Sequence, residues 1–454
     1  MTHLALLNKY NVPVPRYTSY PTIPFWNENM HVSQWRKAFR DQFRIANGTE
    51  GMSLYIHLPF CESLCTYCGC NKKITTNHGV EIGYINALIA EWAIYCELME
   101  EVPVIRELHL GGGTPTFFSA ENLNALLKTI LDNSIIHSTA NFSFEGHPNN
   151  TTGEQLQTLF DLGFRRVSYG VQDNDPVVQK AINRIQPIEQ VKRVTEIARE
   201  IGYNSVNYDL IYGLPFQTLS SIRKTLEDCI SLHPDRFAFY SYAHVPWTSK
   251  GQRLFDQNDL PSAEDKMNLY QEGARIFKAN NYHHIGMDHF VVPTDDLLHA
   301  LQTGSLNRNF MGYTTQHANL QLGIGVSAIS DTSHAFAQNS KSLHDYYRLV
   351  NNKELPVIKG YFLNNQDERF KKYILDISCQ GRTYFNEQDN ETLQLFTFPQ
   401  LRQLELDGLV KLNVQHVEVT ELGKSFIRNI CMAFDLHLLN WSIADNKRTY
   451  SKAI

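Results

Sequence analysis

Four of the eight cysteines fall within ten residues, in Cys61-Glu-Ser-Leu-Cys65-Thr-Tyr-Cys68-Gly-Cys70. The CxxxCxxC spacing of Cys61, Cys65 and Cys68 lies in a loop just after the apolar run SLYIHL (53–58). Three thiolates so close can each bind one iron of a [4Fe–4S] cubane. A fourth iron then lacks a cysteine and stays open to chelation by the amino and carboxylate groups of S-adenosylmethionine (SAM). An electron from the cluster can cleave a sulfur–carbon bond of SAM and yield a 5′-deoxyadenosyl radical. A zinc site and a set of buried thiols are the plainer readings. Zinc ribbons usually pair two CxxC hooks or add one to a distant Cys/His pair. No second hook follows here, although Cys70 or His57 could complete a zinc set. The spacing favours iron and sulfur. Cys70 stays open as a fourth ligand, a neighbour or a small buried hydrophobe.

About fifty residues downstream the run LHLGGGTP (108–115) follows a second apolar segment. Glycines permit close backbone approach, and their N–H and C=O groups can hold the charged ends of a ligand. A tight turn that merely needs glycine is the bland alternative. Beside the cysteine motif, on the preceding strand end, the pair is specific.

The elements that must position these loops show an alternating pattern. Short apolar runs recur at 53–58, 107–110, 142–145, 165–172, 205–213, 236–242 and 283–287. Helix-like stretches such as EIGYINALIAEWAIYCELM, AENLNALLKTIL, IEQVKRVTEIAREIG and LSSIRKTLEDCISL lie between most of them. This alternation predicts βαβ units, a parallel sheet and a complete or partial (β/α) barrel. The polar and glycine-rich residues after the strands would share one face, where active sites are built. Ser119 and Ser262 are expected to cap helices. After about residue 360 the pattern reads as helix, helix, short hairpin and helix, a small winged-helix-like unit. The chain thus divides into an N-terminal arm and helix (1–50), a barrel (51–362) and a C-terminal domain (363–454).

With 454 residues, 43% hydrophobic and 19% charged, the composition is that of a soluble globular protein. A net charge of -6 does not mark a general nucleic-acid binder. No run approaches the roughly 20 apolar residues of a membrane span. No secretory leader is evident, and the scattered remaining cysteines form no disulfide framework. We therefore expect a cytoplasmic protein with no nucleic-acid or membrane partner.

At these residues the sequence resembles the oxygen-independent coproporphyrinogen III oxidase (dehydrogenase) family of radical SAM enzymes. The resemblance runs from RYTSYPT (16–22) through CESLCTYCGCNK, GGGTPT, GVQD, INR, DLIYGLP, YAHVP, GMDHF, NFMGYTT and GVSAIS to FIRNICMAFD. It implies an α/β fold, a partial (β/α)6 TIM-like barrel with an N-terminal arm and a small α+β winged-helix-like C-terminal domain. It implies oxidative decarboxylation of two propionates of coproporphyrinogen III to give protoporphyrinogen IX, in haem biosynthesis. The implied cofactors are a [4Fe–4S] cluster and two molecules of SAM. A flavodoxin or ferredoxin system is the expected reductant, and a monomer the expected form.

Carried over by position, Cys61, Cys65 and Cys68 resemble the cluster ligands. Tyr55, Gly112, Glu145 and Ile329 resemble contacts to the cluster-bound SAM. Tyr67, Gly113, Thr114, Gln172, Arg184, Asp209 and Ala243 resemble contacts to the second. Two departures stand out. The chain reads FEGHP around Glu145, where the family more often has an aliphatic residue and an acid before the proline, and Tyr67 replaces a common phenylalanine. A haem-binding chaperone resembles the family in its cluster motif but typically has phenylalanine at the place of Cys70 and lacks the RYTSYPT arm. A haem-degrading methyltransferase shares the cluster motif, and the long match through the C-terminal FIRNICMAFD speaks against it. Four carboxylates on the substrate call for a basic pocket, with Arg16, Lys72, Arg165 and Arg308 as candidates. Tyr17 and Tyr20 either close over the substrate or pack the arm to the barrel.

Overall fold

The computed structural model describes residues 3–440 and 450–453. Six strand–helix units follow one another: β1 (Met52–Leu58) and α1 (Val80–Met99), β2 (Val104–Gly112) and α2 (Ala120–Leu131), β3 (Ile135–Gly146) and α3 (Gly153–Asp161), β4 (Phe164–Gln172) and α4 (Ile188–Ile201), β5 (Ser205–Tyr212) and α5 (Leu219–Ile230), β6 (Arg236–Ser241) and α6 (Ala263–Ala279). The six strands lie side by side in that order, all parallel. This is the partial (β/α)6 barrel that the resemblance implies, and one of the two forms the alternation allows.

Parallel strands covered on both faces usually read as continuous apolar runs. Here β2 to β5 alternate instead, because successive side chains point to opposite faces. Leu108, Leu110, Phe142, Phe144, Val167, Tyr169, Val206 and Tyr208 are buried. Tyr169 donates to the Val194 carbonyl and Tyr208 meets Thr195, both on α4, so this face packs against the helices. Burial of each such side chain stabilises by roughly 1.5–3 kcal/mol. The other face is polar: Glu107, His109, Ser143, Arg166, Ser168, Asn207 and Asp209 line a lumen of about 130 Å³. Ser119 and Ser262 cap α2 and α6 as expected, accepting the amides of Asn122 (3.2 Å) and Asp265 (3.1 Å).

A seventh parallel strand comes from an unexpected place. The run at 283–287 was expected to continue the barrel. Instead Gly286, at φ +59°, turns it into a hairpin, His283–Ile285 against His289–Val291, and a hairpin pairs antiparallel. It extends the sheet beyond β6. The parallel partner of β1 on its other side is β7 (Gln321–Ile324). The sheet then continues antiparallel through β8 (Ile329–Asp331), β9 (Ala335–Asn339) and β10 (Val357–Phe362). The hairpin of Asn307–Asn309 and Gly312–Thr314 covers the lumen with Met311, Tyr313 and Thr314.

After β10, Asn364 caps the helix Asn365–Gln380. A three-stranded sheet of Arg382–Tyr384, His416–Val419 and Val410–Leu412, with the helices Phe398–Leu406 and Ile427–Met432, gives the winged-helix-like element. In the arm, Tyr17 and Tyr20 are 2% and 1% exposed, and Tyr20 meets His437 edge-on at 5.6 Å. They pack the arm down rather than overhang a site. Among the described residues no helix is long and apolar enough to cross a membrane.

Candidate active site

The cysteine loop leaves the C-terminal end of β1 and opens into a cavity of about 600 Å³ at the C-terminal ends of the parallel strands. Its wall carries Cys61, Cys65, Tyr67 and Cys68 from that loop, and Gly112, Gly113 and Thr114 after β2. Glu145 of β3, Gln172 of β4, Arg184 and Asp209 of β5 complete it. Ala243, Ile329 and Tyr55 do not line it.

The loop is fixed mostly through its backbone. Asn183 donates to the Leu64 carbonyl (2.8 Å) and Thr66 to that of Ala181 (3.1 Å). Gln252 bridges the carbonyls of Tyr67 and Ala243, and Ser249 donates to that of Cys68 (3.0 Å). Ala243 thus serves this bracing through its main chain.

Each thiol then meets its own donor. Thr114 Oγ1 donates to Cys61 Sγ (3.3 Å) and Arg184 Nη1 to Cys65 Sγ (3.6 Å). A hydrogen bond from Cys70, with the Lys72 ammonium nearby, draws the Cys68 thiol down to about 6. Burial pushes Cys61 up to about 11, so its thiolate needs a cation of another kind. No three His, Cys, Asp or Glu side chains among the described residues converge as on a single metal ion. Separate donors for three separated thiolates fit a cubane, which asks for one thiolate at each of three corners. Cys70 reaches solvent at the cavity rim, so it is not a buried hydrophobe.

The glycine run is glycine for steric reasons as well as for its site. Gly112 has φ +117°, and a Cβ there would lie 2.7 Å from the His57 ring. A Cβ on Gly113 would lie 2.5 Å from the Pro59 carbonyl. The Gly112 N–H donates to Glu145 Oε2 (3.3 Å). Tyr55 meets His57 (3.0 Å), which in turn meets the Asn71 carbonyl (2.9 Å), so β1 is tied to the far end of the cysteine loop. Tyr55 pairs with Gly323 across β7. Ile329 crowds Gly323 from β8, its carbonyl 2.4 Å from where a Cβ would be.

Beside Cys65, Arg184 is 9% exposed, donates to the Gly170 carbonyl, and keeps a buried Nε with no partner. Asp209 accepts from Ser168 (2.9 Å) and Asn207 (2.8 Å). Burial and the charge of Glu145 push it up to about 6. The FEGHP departure has a local account. Burial and Arg184 push His147 down to about 2, and its neutral Nδ1 accepts the Asn149 amide (3.2 Å). Of the basic candidates, Lys72 lines this cavity. Arg165 does not. It starts β4, at the opposite end of the barrel, stacked 3.8 Å over Phe160 and bonded to the Phe160 and Phe164 carbonyls. Sequence reasoning passed over Tyr240, which lines both this cavity and the lumen. Its inward parity with Ala238, the partner of Asp209, was the available signal.

Comparison with known proteins agrees with this geometry. Residues 55–229 match the radical SAM superfamily. The oxygen-independent coproporphyrinogen III oxidase of Pseudomonas aeruginosa is 36% identical over 99% of this chain and 98% of its own length. That of Helicobacter pylori is 39% identical over 95% and 96%. The solved structure of coproporphyrinogen III oxidase from Escherichia coli, described as a radical SAM enzyme, superposes with a TM-score of 0.88 at 36% identity, covering 96% of this chain and 99% of that one.

Proposed function

This chain belongs to the oxygen-independent coproporphyrinogen III oxidases of the radical SAM superfamily, and on that footing we propose that it decarboxylates two propionates of coproporphyrinogen III oxidatively to give protoporphyrinogen IX. It is a radical SAM oxidoreductase of porphyrin biosynthesis. When bound, a [4Fe–4S] cluster and SAM supply one-electron cleavage and an adenosyl radical able to take hydrogen from a propionate β-carbon.

The chain's own residues hold and orient. Cys61, Cys65 and Cys68 would hold the cluster, with Thr114, Arg184 and Lys72 offsetting thiolate charge. Glu145 and the Gly112 backbone would take the polar ends of one SAM, beside Tyr55. Arg184, Asp209 and Gln172 would take a second, with Tyr67, Gly113 and Thr114 around it. A cavity of about 600 Å³ with several polar groups and an unpartnered Nε of Arg184 supports two ligands. A planar guanidinium matches a carboxylate. An external one-electron reductant of the flavodoxin or ferredoxin type completes the reading.

The observation that carries it is the set of three thiols, each with its own donor, on the wall shared with Glu145 and the glycine run. Incubating the anaerobically reconstituted protein with dithionite, SAM and coproporphyrinogen III is expected to yield protoporphyrinogen IX, identified by mass. Formation of 5′-deoxyadenosine without that product would refute the substrate assignment. Arg184→Ala is expected to weaken SAM binding about tenfold or more, as for loss of a charge-assisted hydrogen bond, and, because Arg184 also donates to Cys65 Sγ, to loosen the cluster as well. Unchanged turnover and SAM affinity would remove Arg184 from the site.

A further inference from the structure

A second pocket lies where the end of β6, α6, the N-terminal arm and the helix Ile427–Met432 meet. Arg16, Arg308, Lys424 and Arg428 line it. Lys424 is paired with Glu421 (2.6 Å). The three arginines have no carboxylate partner among the described residues. Asp288 also lines the pocket; its carboxylate is hydrogen-bonded to His289 (2.7 Å) and its charge is felt by Arg308 and Arg16, which leaves one carboxylate facing three guanidiniums.

These cations are held in place by neutral carbonyls. Arg16 donates to the Ser241 carbonyl (2.7 Å). Arg308 donates to the carbonyls of Arg16 and Tyr17. Arg428 donates to those of Val14, Pro15, Lys452 and Ala453. Carbonyl dipoles orient a guanidinium without cancelling its charge, and gathering like charges in a partly buried place is costly. Burial and Arg16 pull Arg428 down to about 9. Arg308 is 8% exposed, and its buried Nε has no partner. Preorganised guanidinium forks with positive charge to spare recognise carboxylates.

The pocket is continuous in its lining with the cysteine cavity through one residue. Tyr240 borders this pocket, the barrel lumen and the cysteine cavity. Tyr240 is thus the shared wall against which a flat ligand bearing several carboxylates would lie to reach both the cysteines and the arginines. We propose that Arg16, Arg308 and Arg428 form the anchoring subsite for those propionates of the substrate that are not reacting. This rests on the functional reading above and adds the residues that orient the tetracarboxylate. Arg16 and Arg308, brought together here, are two of the four basic candidates in the sequence.

The test uses the full-length, anaerobically reconstituted protein and coproporphyrin III, the stable oxidised macrocycle, as probe. Arg16→Gln changes an exposed side chain and carries little folding risk. It is expected to weaken coproporphyrin III binding about tenfold and to raise KM for coproporphyrinogen III more than it lowers kcat. Cluster absorbance and SAM affinity should not move. Arg308→Lys keeps the charge but loses the fork, and is expected to weaken the probe by a smaller factor. Wild-type turnover with equally tight probe binding in both variants would overturn the subsite and leave the functional reading standing. A wild-type protein that neither binds the probe nor converts coproporphyrinogen III would overturn both.

Discussion

A Cys68→Ser protein is expected to lose the iron–sulfur absorbance near ~400 nm and at least about 100-fold in activity, a scale that even the outer partners of metal ligands reach. Serine preserves size, and the hydroxyl inherits the setting of the thiol. The backbone bonds of the loop, from Ser249 to the Cys68 carbonyl and from Lys72 to the same oxygen, do not involve the sulfur. The fold should therefore survive, and the thermal midpoint of the iron-free proteins should match. What serine cannot supply is a soft, readily ionised ligand. Cys68 is the thiol whose surroundings draw it below its usual value, so its loss removes the corner best prepared to be a thiolate. Cys70→Ser separates the ligand from its neighbour. Cys70 is exposed at the rim, and its replacement should leave the iron content unchanged. Intact cluster absorbance in Cys68→Ser would refute the ligand assignment.

The second large effect concerns stability. Glu91 on α1 is fully buried. It accepts the Gly325 amide (2.8 Å), Asn339 Nδ2 (2.7 Å) and the Tyr346 hydroxyl (2.7 Å). One carboxylate thus joins α1 to the exit of β7, to β9 and to the helix Leu343–Asn351. Glu91→Ala would strand three buried donors, each costing about 1–3 kcal/mol. Because they share one partner the losses do not simply add, and about 3–5 kcal/mol is expected, comparable with breaking a buried pair. A shift of the urea midpoint gives the measure, and a loss below about 0.5 kcal/mol would show that the clamp is not structural.

Burial pushes Glu91 up from 4.5 to about 7. The folded state therefore holds this proton more tightly than the unfolded chain does. Its stabilising share is complete below about 4.5 and is lost as pH rises through about 7. In Glu91→Gln, which cannot titrate, that part of the pH dependence should vanish. An unchanged slope between those values would assign it to other groups.

The clamp also shows why part of the sheet was hidden in the sequence. β1 to β6 were legible because each holds an apolar run and most are followed by a helix of adequate length. β7 has four residues, Gln321–Ile324, one of them glycine. It is a strand because β1 offers a free edge and because Glu91 and Tyr84 hold the chain at Gly325 and Val326. Neither cause lies within the segment itself. The run at 283–287 has the composition of a strand, but one positive-φ glycine reverses it. Composition fixes the tendency to extend and leaves the partner open.

What the sequence determined unaided is local. Three thiols within eight residues share one loop whatever the rest of the chain does, and strand alternation records which face stays wet. The glycine run, Glu145, Gln172 and Asp209 inherit their common cavity from being at or near the C-terminal ends of parallel strands. Tertiary structure alone decided that Arg16, Arg308 and Arg428 share a pocket while Arg165 stacks on Phe160 elsewhere. An arginine looks the same in sequence wherever it points. Its neighbours are set by how arm, hairpin and C-terminal helix pack, and such long-range contacts leave no periodicity to read.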